Sequence, residues 1–129
     1  MKSLDTHHIF APVQDTLPLV EEQLRLSANT DYQLLTDLLQ HVLSRGGKRL
    51  RPAITLLAGR LFVDDLIRHV PLATAVELLH TATLVHDDLI DSSATRRGIP
   101  TLNSLWNSRA AVLAGDYLFA KSADLVAST

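Results

Sequence analysis

The stretch "PLATAVELLHTATLVHDDLID", Pro71 to Asp91, is the longest helical pattern in the chain, and the interpretation of the other segments starts from it. A helix is expected over Leu72 to Ile90, because proline suits the first turn of a helix and apolar residues then recur at helical spacing. Three aspartates close this pattern: Asp87, Asp88 and Asp91. Since the C-terminal end of a helix carries partial negative charge, the cluster predicts that a cation is supplied there.

The composition is that of a folded, soluble protein that does not act through bulk charge. The 129 residues suit a single all-helical domain spanning 1–129, with 47% hydrophobic and 20% charged residues. A net charge of -2 argues against nucleic acid or an anionic membrane as partner, and the lack of cysteine excludes disulfides and thiolate metal sites. No signal-type apolar run opens the chain, so we expect a cytoplasmic protein.

The periodicity predicts an all-α fold, an antiparallel helical bundle. Apolar residues recur at helical spacing, and no run alternates for long enough to indicate a sheet. Segment 92–100, "SSATRRGIP", is polar and turn-rich and is predicted to be a loop. Short connections between helices favour antiparallel neighbours. The six expected helices are Val13–Leu26, Tyr32–Leu43, Pro52–Phe62, Leu72–Ile90, Leu102–Trp106 and Ser108–Val126.

One stripe of the long helix carries groups suited to metal binding. At 100° per residue, His80, Leu84, Asp87 and Asp91 fall within an arc of about 60°. Asp87 and Asp91 are four apart, roughly 5–6 Å between Cβ atoms, close enough to bracket one ion. Oxygen ligands favour magnesium or manganese, and magnesium completes its shell with water and phosphate. The stripe therefore predicts a phosphorylated ligand, with Asp88, about 100° away, ranked below its neighbours.

Simpler explanations exist for the same residues. In an arbitrary sequence, an aspartate cluster at a helix end is more often solvated and paired with nearby cations, here Arg96 and Arg97. The apolar flanks "HTATL" and "VLAGDYLF" favour a partly enclosed site instead. His80 can be read equally well as a hydrogen-bonded core histidine or as part of the site.

A second polar cluster, "SRGGKRLRP", surrounds a glycine pair and a helix start. Free N–H groups at a helix N-terminus, flexible glycines and several cations make a suitable anion site. The spacing is not that of a P-loop, and a solvated basic loop is the simpler alternative. Together with Arg96 and Arg97, however, the chain has two basic clusters and one acidic cluster, which predicts two polyphosphate ligands. The basic residues of this segment are Arg45, Lys48, Arg49 and Arg51.

The motifs "GGKRLRP", "ELLHTATLVHDDLIDSSATRRGIPT" and "VLAGDYLFA", within Leu43 to Ala120, resemble the trans-isoprenyl diphosphate synthases. The long-chain members, such as octaprenyl diphosphate synthases, are the most similar. The resemblance implies the N-terminal part of the isoprenyl synthase fold and a homodimer. It also implies condensation of isopentenyl diphosphate with an allylic diphosphate into an all-trans polyprenyl diphosphate, such as the precursor of a quinone side chain.

The resemblance assigns roles to individual residues. Asp87 to Asp91 match the family's first DDxxD motif, whose outer aspartates bind Mg²⁺ on the allylic diphosphate. Arg96 matches the arginine on that diphosphate, so Asp87, Asp91 and Arg96 would neutralise the leaving group. The matched isopentenyl diphosphate contacts are Lys48, Arg51, His80 and Arg97.

The resemblance also bears on product length. In this family, bulky aromatic residues four or five positions before the motif close the product tunnel, and here those positions are Thr83 and Ala82. Small residues predict an open tunnel and a long product, and Ala82→Phe in a complete enzyme is expected to shorten it. The alternative is that both are small for helix packing and that another helix closes the tunnel.

The family's second aspartate-rich motif has no counterpart after Asp116, so the chain is interpreted as an N-terminal fragment, inactive alone. An alternative is a non-catalytic subunit of a heteromeric prenyl synthase, although such a subunit need not keep Asp87, Asp91, Lys48 and Arg96. A terpene cyclase relative is a third interpretation. A cyclase with one diphosphate substrate would have little use for an isopentenyl site.

Overall fold

The computed structural model describes residues 6–129, which contain seven α-helices, two 3₁₀ helices (Ala11–Val13 and Ile67–His69) and one short β-ribbon. Side chains are described from residue 8, so the first half of the N-terminal stretch 1–14, which has no signal-type apolar run, lies outside the described side chains. None of the helices in this part is both long and apolar enough to cross a lipid bilayer. The helices are α1 Thr6–Phe10, α2 Leu17–Ser27, α3 Gln33–Leu43, α4 Leu50–Arg60, α5 Val70–Ile90, α6 Leu102–Leu105 and α7 Ser108–Ala127.

The predicted all-α class is confirmed, with one local departure in the segment predicted to be a loop. There β1 (Thr95–Arg96) pairs antiparallel with β2 (Ile99–Pro100). Arg97 and Gly98, both with positive φ, form the connecting turn. Two-residue hairpin turns with positive φ at both positions match the twist of paired strands, but arginine is an uncommon first residue, so the sequence signal was weak.

Proline positions explain where two of the helices begin. α2 starts at Leu17 rather than at the predicted Val13, so that Pro18 lies in the first turn. A helix from Val13 would place this proline in its interior, where the missing N–H leaves a carbonyl unpaired. Pro71 lies in the first turn of α5, as predicted.

The predicted antiparallel packing is visible in the contacts of α5 with α7. Ser122 Oγ donates to the carbonyl oxygen of Ala75 at 2.9 Å, whereas the His86 ring lies 3.5 Å from the carbonyl oxygen of Val112. Residues later in α5 therefore contact residues earlier in α7, so the two helices run antiparallel. α4 also runs against α5, because Arg49 at its start bonds Glu77 and Gly59 near its end packs on His69.

The hydrophobic core lies around α5, and nearly all the other helices contribute to it. Fully burying a leucine side chain contributes roughly 1.5–3 kcal/mol, so a shared set of such residues holds the helices together. Ala82 of α5 is also fully buried in this cluster. The fully buried leucines are Leu24, Leu38, Leu39, Leu56, Leu78, Leu102 and Leu118.

A Schellman motif ends α5 and turns the chain back. Ser92 adopts φ 54°, and the Ser93 N–H donates to the carbonyl oxygen of Asp88 at 2.9 Å. The Ser92 N–H donates to the carbonyl oxygen of Leu89 at 3.2 Å, which completes the pattern. This reversal brings the β-ribbon beside the aspartates at the end of α5.

We predict that Gly115→Ala destabilises the chain. A Cβ atom at this position would overlap the His86 ring, which also packs beside Phe119 with ring centroids 5.5 Å apart. Overpacking of this kind costs about 1–3 kcal/mol. In a His86→Ala background the clash is gone, and the same substitution should stabilise by up to about 1 kcal/mol, because alanine favours helix more than glycine does.

Urea unfolding of the wild-type chain, Gly115→Ala, His86→Ala and the double variant measures the effect of Gly115→Ala in the two backgrounds. Equal effects of Gly115→Ala in the two backgrounds would contradict the proposed clash.

Candidate anion-binding site

A pocket of about 660 Å³ opens between the α3–α4 loop, α5 and the β-ribbon. Basic side chains dominate its lining, together with His80 and one acid, Glu77. Such a concentration of one charge raises the local concentration of ligands of the opposite charge. The pocket is therefore suited to an anion with several charges. The lysine and arginines that line it are Arg45, Lys48, Arg49, Arg51, Arg96 and Arg97.

The α3–α4 loop is held in place by Arg49. Gly46 and Gly47 take φ 73° and 153°, and Arg49 itself takes φ 52° just before α4 begins. Its guanidinium donates to Glu21 of α2 at 2.5 Å and to Glu77 of α5 at 3.0 Å. Burial opposes its charge, yet the two glutamates raise the pKa of Arg49. Arg49 thus ties the loop to two helices instead of serving as a free cation.

Three other cations of the pocket have no such partners. Lys48, Arg51 and Arg97 are exposed, and their side chains make no hydrogen bond or ion pair with any residue of the described chain from position 8 onward. All three line the pocket, and none has an acid of the described chain as a partner. An anionic ligand would relieve the resulting repulsion.

His80 lines the same pocket as these cations. Burial lowers the pKa of His80, and the charges of Arg51, Arg96 and Arg97 lower it further. The imidazole is therefore neutral at about pH 7, where one ring nitrogen can donate to a ligand oxygen. The structure brings all five predicted basic and histidine residues, Lys48, Arg51, His80, Arg96 and Arg97, to one pocket.

Arg96 is paired with Asp88, the aspartate that helical spacing ranked lowest. Asp88 is only 3% exposed, and its Oδ1 accepts from Arg96 Nη2 at 2.8 Å and from Nε at 3.0 Å. The hydrogen bonds to Asp88 raise the pKa of Arg96. The cation expected at the end of α5 is thus supplied by the ribbon. Pairing of the cluster with Arg96 was the simpler alternative in the sequence, and it holds for Asp88. Helical spacing could not show which aspartate is paired, because that depends on how the chain reverses after α5.

The two outer aspartates remain available. Asp87 and Asp91 are exposed, and neither carboxylate makes a hydrogen bond or ion pair within the described residues. Their charges help to raise the pKa of Arg96, after the effects of Asp88 itself. They do not line the pocket; they flank Arg96 at the end of α5.

Two free carboxylates suit a magnesium ion. Magnesium is bound in proteins through one or two carboxylates and takes its other ligands from water and substrate phosphate. No group of three His, Asp or Glu side chains able to hold a metal occurs in residues 8–129. Asp87 and Asp91 therefore fit an ion that arrives with a phosphorylated ligand better than a closed structural site.

The two residues expected to set product length differ in environment. Ala82 is fully buried in the core. Thr83, in contrast, is exposed, and its hydroxyl donates to the carbonyl oxygen of His80 at 2.6 Å. A larger side chain would be accommodated at Thr83 more easily than at Ala82.

Fold and pocket together define an all-α protein with a pocket lined by basic side chains. The sequence model of the polyprenyl synthetase family matches residues 32–129. Heptaprenyl diphosphate synthase component 2 of Geobacillus stearothermophilus is 44% identical over 119 residues, covering 92% of this chain and 37% of that protein. Octaprenyl diphosphate synthase of Escherichia coli strain K12 is 41% identical over 100 residues, covering 78% and 31%.

A solved structure is also similar along nearly the whole chain. The polyprenyl synthase of Caulobacter crescentus, complexed with calcium and isoprenyl diphosphate, matches with a TM-score of 0.90 and 35% identity. The match covers 98% of this chain and 39% of that one. The chain belongs to the polyprenyl synthetase family, which confirms the resemblance found in its sequence. It spans less than two fifths of the length of these relatives.

We predict that Arg96→Ala destabilises the chain by roughly 3–5 kcal/mol, because it leaves the buried carboxylate of Asp88 unpaired. Asp88→Ala should cost less, since Arg96 is 32% exposed and can be hydrated. The double substitution should cost less than the sum of the two. Arg97→Ala, at the exposed neighbouring arginine, is the control and should change the unfolding free energy by less than about 0.5 kcal/mol.

Urea unfolding of these variants completes a double-mutant cycle. Additive effects of the two substitutions would show that the pair does not couple the ribbon to α5.

A second prediction concerns pH. The pKa of His80 is lower in the folded chain than its ordinary value of 6.5, so the unfolded chain binds more protons between the two values. His80 therefore contributes stability that is fully present above pH 6.5 and lost as the pH falls through the folded pKa. The wild-type chain should lose more stability than His80→Gln between about pH 7 and 5.

Urea unfolding at both pH values gives this difference, and the groups shared by the two proteins cancel. A wild-type chain that loses no more stability than His80→Gln would contradict the lowered pKa.

Proposed function

We propose that this chain supplies the isopentenyl diphosphate site and one metal-binding side of a prenyltransferase. The enzyme would condense isopentenyl diphosphate with an allylic diphosphate to give a long-chain all-trans polyprenyl diphosphate. The observation that carries the proposal is that unpaired cations and unpaired carboxylates occur at separate places near Arg96. Lys48, Arg51 and Arg97 line the pocket, whereas Asp87 and Asp91 do not line it and lie at the end of α5.

The isopentenyl diphosphate would be held by direct contacts. Lys48, Arg51 and Arg97 supply cations that no acid of the described chain neutralises, and neutral His80 adds a hydrogen-bond donor. Direct binding by cations leaves the double bond of this substrate free to act as the nucleophile. No protein nucleophile is needed for the reaction.

The allylic diphosphate would be held at the end of α5. Asp87 and Asp91 are proposed to hold Mg²⁺, which when bound neutralises negative charge on a departing diphosphate. Arg96, oriented by Asp88, would donate to the same group as the allylic carbon–oxygen bond breaks. A carbon–carbon bond to isopentenyl diphosphate then forms, and a proton is lost from the condensed chain.

The length of the product is proposed to be of the octaprenyl class. This rests on the small residues Ala82 and Thr83 one turn before the aspartates, and on the names of long-chain synthases among the relatives. Because Ala82 is fully buried, Ala82→Phe would disturb the core as well as any tunnel. Thr83 is the better position at which to narrow a tunnel in a complete enzyme.

We also propose a homodimer, as the family resemblance implies, and a cytoplasmic location. A non-catalytic role in a heteromeric prenyl synthase is the second candidate, because one relative is named as a component of heptaprenyl diphosphate synthase. Unpaired Lys48, Arg51, Asp87 and Asp91 favour a binding role over a purely structural one. Copurification with a second, larger subunit would favour the alternative.

Isopentenyl diphosphate binding, measured by isothermal titration calorimetry on the 129-residue chain, tests the proposal. We expect saturable binding that Lys48→Ala and Arg51→Ala each weaken about 10- to 100-fold, since each removes a charge-assisted contact of about 1.5–3 kcal/mol. Arg68→Ala removes an exposed arginine that does not line the pocket and should leave binding unchanged. Equal affinities for all four proteins would refute the site.

Prenyl transfer is measured in parallel with a farnesyl or geranylgeranyl diphosphate primer. Because the chain spans less than two fifths of its relatives, we expect binding without turnover. Clear incorporation of isopentenyl units would show that this chain is catalytically sufficient.

A further inference from the structure

The carbonyl oxygen of Pro100 accepts hydrogen bonds from two side chains near the end of α3. His41 Nε2 lies 2.8 Å from this oxygen, and Arg45 Nη2 donates to it at 3.2 Å. A carbonyl oxygen can only accept, so Nε2 of His41 carries a hydrogen. His41 lies in the last turn of α3 and Arg45 in the loop just after it, so both reach the same atom.

The β-ribbon needs such contacts from outside. Each of its strands has only two residues, and an isolated two-stranded hairpin is marginal even when longer. Its turn also holds Arg97 at φ 52°, a conformation that is unfavourable for arginine. The ribbon nevertheless carries both arginines assigned to the diphosphates, so its position decides where their charges lie.

Two attachments hold the ribbon at different places. On β1, Arg96 is bound by Asp88 of α5. On β2, the Pro100 carbonyl is bound by His41 of α3 and by Arg45 of the α3–α4 loop. At the base of the ribbon, the Thr101 N–H donates to the carbonyl oxygen of Ala94 at 3.0 Å. Arg97, in the turn between the strands, is thus fixed only if both strands are fixed.

The surroundings of His41 and Arg45 favour a role in holding the ribbon. The His41 ring packs edge-on against Trp106, with ring centroids 5.6 Å apart, which restricts its orientation. Arg45 lines the pocket, and its Nε is buried without a hydrogen-bond partner in the described residues. Burial lowers the pKa of Arg45, and Asp88 opposes that effect. Because this environment disfavours the charge of Arg45, its hydrogen bond to the Pro100 carbonyl is the contact that gives the residue a structural role.

We propose that His41 and Arg45 are positioning residues of the diphosphate site, which act by holding the Pro100 carbonyl so that Arg96 and Arg97 face the pocket. The proposal rests on the proposed function, since it concerns how that site is arranged. It requires neither residue to touch the ligand. Removal of either side chain should therefore weaken diphosphate binding indirectly, because Arg97 is no longer held in position.

The test uses inorganic pyrophosphate as the probe and the 129-residue chain as the protein. His41→Ala should weaken pyrophosphate binding about three- to tenfold, corresponding to one hydrogen bond of roughly 0.5–1.5 kcal/mol. His41→Gln should restore most of the affinity, because its amide nitrogen can donate to Pro100. Gln40→Ala, the exposed neighbour on α3, is the control.

Two further results separate positioning from a general loss of stability. Arg97→Ala should cost less affinity in the His41→Ala background than in the wild-type chain. Arg45→Met should resemble His41→Ala, whereas a large effect of Arg45→Met with none of His41→Ala would make Arg45 a direct ligand contact and overturn the proposal.

Amide hydrogen exchange distinguishes this proposal from the proposed function. In His41→Ala, the amides of Arg96 and Ile99 should exchange faster, while amides in the middle of α7 should not. Unchanged exchange in the ribbon would refute the positioning role whether or not pyrophosphate binds. Absence of pyrophosphate binding by the wild-type chain, with faster ribbon exchange in His41→Ala, would refute only the function of the site.

Discussion

The ion pair between Asp88 and Arg96 is the interaction on which the arrangement of the site depends. Taking a carboxylate out of water is costly, and the cost is offset only when the partner makes well-aligned hydrogen bonds. Arg96 meets that condition with two nitrogens on one carboxylate. The pair joins the end of α5 to the ribbon, and it leaves the outer aspartates free because Arg96 is already engaged.

Backbone strain is concentrated around the same place. The non-glycine residues with positive φ in the described chain are Arg49, Ser92 and Arg97. Arg49 and Arg97 line the pocket, and Ser92 lies at the end of α5. Such conformations persist only where surrounding contacts determine them. Two glutamates hold Arg49, the Schellman hydrogen bonds hold Ser92, and the ribbon holds Arg97. The turns that deliver the basic residues are thus secured by polar contacts instead of by regular secondary structure.

Charge in the pocket is divided between anchoring and binding. Arg49 and Arg96 are paired with acids of the chain and fix a loop and a ribbon, and Arg96 is in addition proposed to contact the allylic diphosphate. Lys48, Arg51 and Arg97 also line the pocket and pair with no acid of the described chain, so positive charge is concentrated there. A ligand that binds only the folded chain stabilises it, so an anion bound in the pocket would raise the free energy of unfolding. The neutral state of His80 limits the repulsion when no anion is present.

The long helices could be predicted because helix formation is largely local. Apolar spacing and Pro71 located α5, and the ends of α5 and α7 differ from the predicted ones by two residues or fewer. The start of α2 was less accurate, because apolar spacing continued through a segment where Pro18 prevents an α-helix. Residues in contiguous motifs, such as Lys48 and Arg51, were identified as basic site candidates for the same local reason.

By itself, the sequence determined the helical class, the basic and acidic clusters and the family they resemble, since these follow from residue type and short-range spacing. Only the tertiary structure decided which charges are free. Buried Asp88 pairs with Arg96 because Ser92, in a left-handed conformation, reverses the chain after α5. Arg49 pairs with Glu21 and Glu77, each 28 residues away in the sequence. Such pairings join segments that are distant in the sequence, and a helical wheel, which describes one helix at a time, contains no information about them.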